Sequence, residues 1–259
     1  MTTPQAPARR LLAALRALLT RYWTVLALLA AWQVWVRAWH LNQIVVPAPY
    51  SVVTDILTHP SAYTGALGHT IVNSAVGLAL GMALGVCCAL AVWFSRVLSG
   101  LLTPLVLIMR SVPVVAMIPV IAFVVGYGFA AVVTVTTLVS FFPTFVMVLS
   151  ALRSAPTAMT DVFAVLGASR ALVLRRLLLP YAVPQLLVAA RLTAPTAVLA
   201  AMLAEYLLGR DGLGTLFADA TTFVAPQRAW GAALIATVIS VASFVAARAA
   251  ERRCAPRFR

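Results

Sequence analysis

Side chains able to do chemistry are sparse. The acids are Asp55, Asp161, Glu205, Asp211, Asp219 and Glu251, and the histidines are His40, His59 and His69. No nucleophile is spaced beside a base, and the histidines fall near the ends of apolar segments without clustered carboxylates, so no catalytic or metal-ligating set is read. Cys87 and Cys88 lie in an apolar run and Cys254 in a basic tail, a pattern that suggests neither a disulfide nor a metal site. A proton-coupled carrier needs several membrane-embedded carboxylates, and only Glu205 comes close to being one. It stands in AEYLLGRDGLGTLF with Arg210 and Asp211, which reads either as a gate at the end of a span or as an ion-paired helix end. Arg110 lies eight residues into an apolar stretch, where an arginine costs roughly 2.5–3.5 kcal/mol at the helix centre. It either snorkels to an interface or faces a pathway and attracts an anion, and the pathway reading is preferred. Asn73, Thr134, Thr136, Thr137 and Ser140 could line a polar route or hydrogen-bond neighbouring helices. No G-x-x-x-x-G-K-[ST] segment is present, so ATP, if it is used, is handled by another chain.

These residues are set in a chain that is 63% hydrophobic and only 10% charged over 259 residues, the composition of an integral membrane protein. The net charge of +13 comes from arginines that flank apolar runs and are not interleaved with aromatics, which argues against nucleic acid and for contact with membrane lipid. Six apolar spans are expected at about 22–41, 70–94, 102–126, 129–152, 184–207 and 228–248. A basic segment, 1–21, precedes them and a basic tail, 249–259, follows. The first apolar run has tryptophan at both ends and no small-residue cleavage site, so it is read as a retained span. Gly77, Gly81 and Gly85 put a small-residue face on the second span. Arg110, Pro113 and Pro119 interrupt the third, and Gly126 to Gly128 turn the chain into the fourth. A connection over 41–65 should contain a short helix after Pro49. With the N-terminus inside, fourteen arginines fall on the cytosolic side against three outside, so both termini are expected in the cytoplasm.

Residues 153–183 then form a basic cytosolic loop. Thr160 is expected to cap a short helix with Asp161 in its first turn, ending near Leu166. Gly167 can take φ > 0 and close that helix, and Ser169 can cap a second one carrying Arg170, Arg175 and Arg176 until Pro180 stops it.

The loop resembles the cytoplasmic Glu-Ala-Ala loop of ABC importer permeases. Asp161, Val162 and Phe163 stand where Glu-Ala-Ala is expected, Gly167 follows at the family distance, and Leu177, Leu179 and Pro180 close the motif after nine residues. Together with Ala168 and Ser169 these positions are, by the resemblance, the site that docks into an ATPase subunit. MRSVPVVAMIPVIAFVVGYG and the Ala-Glu pair with its Gly-x-Gly turn resemble the nitrate/sulfonate/taurine branch. The resemblance implies an all-α, six-span type I permease fold in a bacterial plasma (inner) membrane. It implies a second permease copy, most simply a homodimer, with the pathway between copies. It further implies two ATPase subunits that bind ATP and Mg, no cofactor in this chain, and an extracytoplasmic substrate-binding protein that Glu205, Arg210 and Asp211 could meet. The chain is then a transporter subunit, not an enzyme, whose solute is a small organic anion such as a sulfonate, taurine or nitrate. Import of a pyrimidine precursor of thiamine, an ATP-independent secondary carrier and an assembly subunit are the alternatives.

Overall fold

The computed structural model describes residues 23–24, 27–39, 42 and 46–254, with the side chains of residue 107 and of 109–111 outside that set. Among the described residues every regular element is a helix. Residues 27–38 are helical within the expected first span. After them come α1 (Pro49–Thr58), α2 (Pro60–Phe94), α3 (Arg96–Ser111), α4 (Val114–Val125), α5 (Phe129–Arg153) and α6 (Thr157–Val165). Then follow α7 (Arg170–Leu208), α8 (Leu213–Thr222) and α9 (Pro226–Cys254). The helices α2, α5, α7 and α9 are long and apolar enough to cross a membrane, while α3 and α4 are shorter apolar pieces.

Prolines explain several boundaries. Pro49, Pro60 and Pro226 open their helices, where a missing N–H costs nothing. Pro60 thereby starts α2 ahead of the expected 70, and α9 likewise extends beyond 248. The third span is divided as its prolines suggest, but the break falls only at Val112–Pro113. Pro119 does not interrupt α4 and lies inside it. Gly126 (φ 87°) and Gly128 (φ 90°) make the turn into α5, and the Gly128 N–H donates to Leu208 O at 2.8 Å, joining the start of α5 to the end of α7.

The packed centre is α2 against α5 and α5 against α7. Gly81 lies so close to α5 that a Cβ there would stand 2.6 Å from both Ser140 Cβ and Thr137 O. Gly77 meets Thr136 and Gly85 meets Thr144 along the same seam. The Thr134, Thr136 and Thr144 hydroxyls donate to carbonyls of their own helix, at 2.8, 2.9 and 2.9 Å, which is what threonines do inside an apolar bundle. One apolar cluster, with Phe145, Val148, Leu149, Leu174 and Leu178, fills the end of the bundle nearest α6. A second, with Ile118, Val132, Val135, Ala201 and Leu208, fills the opposite end, and a third seats Leu213 of α8 on Ala232 and Ala236 of α9.

Candidate functional site

Two features stand out from the packed bundle, one at each end. At the first, α6 meets the start of α7 in a glycine corner. The helix is entered through Pro156, whose backbone is extended at ψ and whose ring fixes φ at −56°, a value the helix can use directly. It therefore begins at Thr157, a turn ahead of the expected cap. Thr160 is an interior residue whose hydroxyl donates to Thr157 O at 2.7 Å, and Asp161 lies beyond the first turn. At the other end Gly167 has φ 67°. The Ala168 N–H donates to Phe163 O at 2.9 Å and the Gly167 N–H to Ala164 O at 3.0 Å, the paired bonds of a Schellman cap. Ser169 then caps the next helix by accepting from Leu172 N at 3.3 Å.

Pro180 does not end that helix. The chain takes one π turn over Leu174–Leu178, in which the Leu179 N–H donates to Leu174 O, five residues back. This wider turn relieves the clash between a proline ring and the carbonyl four residues before it, and α7 runs on to Leu208. The expected loop over 153–183 thus contains the first turns of a spanning helix.

The corner is anchored from within. Leu174 and Leu178 are buried among Phe145, Val148, Leu149 and Leu152, and Leu177 and Leu179 pack partly against them. The outward face is apolar and bare: no residue of α6 is buried, and Val165 and Leu166 are 88% and 76% exposed. A Cβ built on Gly167 meets nothing within 4 Å.

At the opposite end Glu205 is 1% exposed. Its Oε2 accepts from Thr70 Oγ1 at 2.7 Å and from the Gly214 N–H at 3.1 Å, and its Oε1 accepts from Asn73 Nδ2 at 2.8 Å. Thr70 Oγ1 in turn accepts from the Leu213 N–H at 2.9 Å. Gly214 and Leu213 open α8, so the carboxylate also faces the positive end of a helix. Gly212 (φ 120°) and Gly214 explain the Gly-x-Gly turn, because a Cβ on Gly212 would strike the Glu205 carboxyl and one on Gly214 would strike Met202 O.

Glu205 and Asn73 are therefore brought together, whereas Arg210 and Asp211 lie outside this cluster. Arg110 lies in the last turn of α3, and its side chain falls outside the described residues. Of the features not anticipated, Thr70 and Gly214 could have been suspected only from the glycines around Glu205. The Arg191–Glu251 ion pair between α7 and α9, at 2.9 Å, has no local signal at all. Among the described residues no group of three or more His, Cys, Asp or Glu could hold a metal ion.

Residues 77–259, the part of the chain that holds both the corner and Glu205, match the model of the binding-protein-dependent transport system inner membrane component family. The chain belongs to that family. The permease is 28% identical over 214 residues to a probable ABC transporter permease protein of Haemophilus influenzae, covering 83% of this chain and 87% of that one. It is 25% identical over 249 residues to the taurine transport system permease protein of Escherichia coli, covering 93% and 87%. The crystal structure of a bacterial ABC transporter involved in the import of the acidic polysaccharide alginate superposes on this permease with a TM-score of 0.65. The match is 15% identical and covers 93% of this chain and 99% of that one, a likeness of fold. The permease is thus a multi-pass, all-α inner-membrane transporter subunit.

Proposed function

We propose that this permease is the membrane subunit of an ATP-driven importer and that the α6–Gly167–α7 corner is its contact with an ATPase subunit. The observation that carries the reading is the corner itself: an apolar helix with no buried residue, closed by a glycine at φ 67° with open space beyond it, on a foundation of buried leucines. A helix this exposed and this apolar gains by burial in a partner, at about 25 cal/mol per Å² of apolar surface. Asp161, Val162, Phe163, Gly167, Ala168 and Ser169 form the contact, and Leu177, Leu179 and Pro180 seat it on the bundle. ATP and its magnesium bind in the ATPase subunits, and this chain carries no cofactor.

Arginine asymmetry supports an orientation with the corner and both termini in the cytoplasm. A second copy of the permease completes the pathway, and an extracytoplasmic binding protein delivers the solute. Similarity to the Escherichia coli taurine permease over 93% of this chain supports a small organic anion, a sulfonate or taurine, as that solute. Arg110, one turn before the break between α3 and α4, is assigned to attract it.

The test is to tag the chain in its own cell, purify it in mild detergent with whatever it retains, and repeat with Gly167→Asp. Aspartate tolerates the left-handed backbone better than most residues, so the variant inserts and folds. Its charge enters the contact, and recovery of the ATPase subunit and of ATP hydrolysis should fall by about tenfold or more. Unchanged recovery and hydrolysis with Gly167→Asp would remove the corner from the ATPase contact.

A further inference from the structure

The helix that begins at the corner ends at the buried carboxylate. α7 has 39 residues, from Arg170 beside the Ser169 cap to Leu208, and at about 1.5 Å per residue is roughly 57 Å long. Glu205 lies in its last turn, where side chain and backbone both reach across to other elements. The carboxylate takes Thr70 and Asn73 from α2 and the Gly214 N–H from α8. The Glu205 carbonyl accepts from Thr215 Oγ1 at 3.2 Å, and Thr70 accepts from Leu213, so α8 is held at three consecutive residues. With Glu205 1% exposed, water does not compete for these bonds, and the low dielectric around them strengthens each one. The approach is limited by backbone at Gly214, where a Cβ would strike Met202 O and Tyr206 N, and by the Glu205 carboxyl itself at Gly212. Neither solute nor protein has open access to this carboxylate.

We propose that Glu205, with Thr70 and Asn73, is a clasp that joins α2, α7 and α8 into one body, so that a displacement of the corner at one end of α7 is delivered to α8 at the other. This makes Glu205 and Asn73 positioning residues and not lining of the pathway. The consequence for α8 rests on the corner being the ATPase contact; the clasp itself does not.

The experiment uses the full chain with its three cysteines replaced by serine and two nitroxide labels introduced at exposed positions, Asp219→Cys on α8 and Leu199→Cys on α7. The distance distribution between labels is measured in the chain alone, and then in the chain with its ATPase subunits before and after ATP. In the otherwise unchanged chain one narrow distance should persist in every state. Thr70→Val keeps the side-chain shape but removes the hydroxyl that bridges Glu205 and Leu213. It should broaden the distribution by about twofold, as the end of α8 is freed to open locally. Loss of a hydroxyl that merely stabilised the fold would lower the unfolding temperature and leave this distance alone.

A charge swap is the second arm. Asn73→Asp sets two carboxylates against each other and should lower recovery or broaden the distance. Adding Glu205→Gln should restore both, because the glutamine amide donates to the carboxylate introduced on α2 while its oxygen still accepts from Thr70 and Gly214. A swap no better than Asn73→Asp alone, or a Thr70→Val distribution identical to the parent, overturns the clasp. A parent distance that changes with ATP overturns the one-body movement. Failure to recover any ATPase subunit counts against the corner contact, and the chain-alone distances still decide the clasp.

Discussion

Replacing Gly81 by alanine tests the central packing of the permease most directly. A Cβ at that position would be 2.6 Å from Ser140 Cβ and from Thr137 O, and 3.0 Å from Phe141 N, whereas ordinary contact starts at 3.4 Å. Two of these three atoms are backbone, so a rotamer change cannot relieve the clash. The helices α2 and α5 must separate by about 3.4 − 2.6 = 0.8 Å. A gap of that size forfeits roughly a quarter to a half of the dispersion attraction at each contact along the seam, where Gly77 and Gly85 depend on the same approach. Overpacking of this kind costs about 2 kcal/mol. At about 3 °C per kcal/mol for a chain of this size, the unfolding temperature should drop by about 6 °C. The control is Gly68→Ala in the same helix. No atom lies within 4 Å of its Cβ, so alanine should stabilise α2 by about 0.5–1 kcal/mol through its better helix propensity. Thermal unfolding of the detergent-purified variants, followed by size-exclusion fluorescence, reads both. An unfolding temperature for Gly81→Ala at or above that of the parent, with Gly68→Ala behaving as expected, would refute the close α2–α5 approach.

Two further outcomes concern the interior. Leu178→Ala, at a site 3% exposed under the corner, should cost about 3 kcal/mol and speed amide exchange over 170–178, while Leu172→Ala, 45% exposed, should change stability by less than about 0.5 kcal/mol. Equal effects of the two would mean that the corner is not seated on the core. Arg191→Met leaves Glu251 without its 2.9 Å partner and should destabilise by about 2 kcal/mol, a value below that of a fully buried pair because the side chains are 28% and 18% exposed. Adding Glu251→Met should return most of it, and additive losses in the double variant would show that the pair is not coupled.

The corner is legible in the sequence because what makes it is local. Gly167 at φ 67° and Ser169 as a cap act on residues within five positions, and such short-range bonds are readable wherever glycine and serine have few better uses. The start of α6 is ambiguous for a related reason: Thr160 and Pro156 both suit a helix entrance, and the proline's preset φ prevails. Hydropathy and arginine placement likewise identify a membrane chain, since both follow from transfer free energies that each residue carries with it.

What the sequence could not decide depends on partners brought in from far along the chain. Glu205 reads equally well as a gate or a paired helix end, and only the packing of α2 on α7 places Thr70 and Asn73, 135 and 132 residues away, at its oxygens. Pro180 reads as a stop because its missing N–H is a local fact. The π turn that carries the helix past it lies between Leu174 and Leu178, both buried in the core, and propensity does not register the burial of those two leucines. Composition and local bonding thus determine that this is a membrane chain with a glycine corner. The tertiary structure decides that the helix leaving the corner is continuous to a buried carboxylate, because that continuity is sustained by contacts whose two halves lie too far apart in the chain for any local pattern to join.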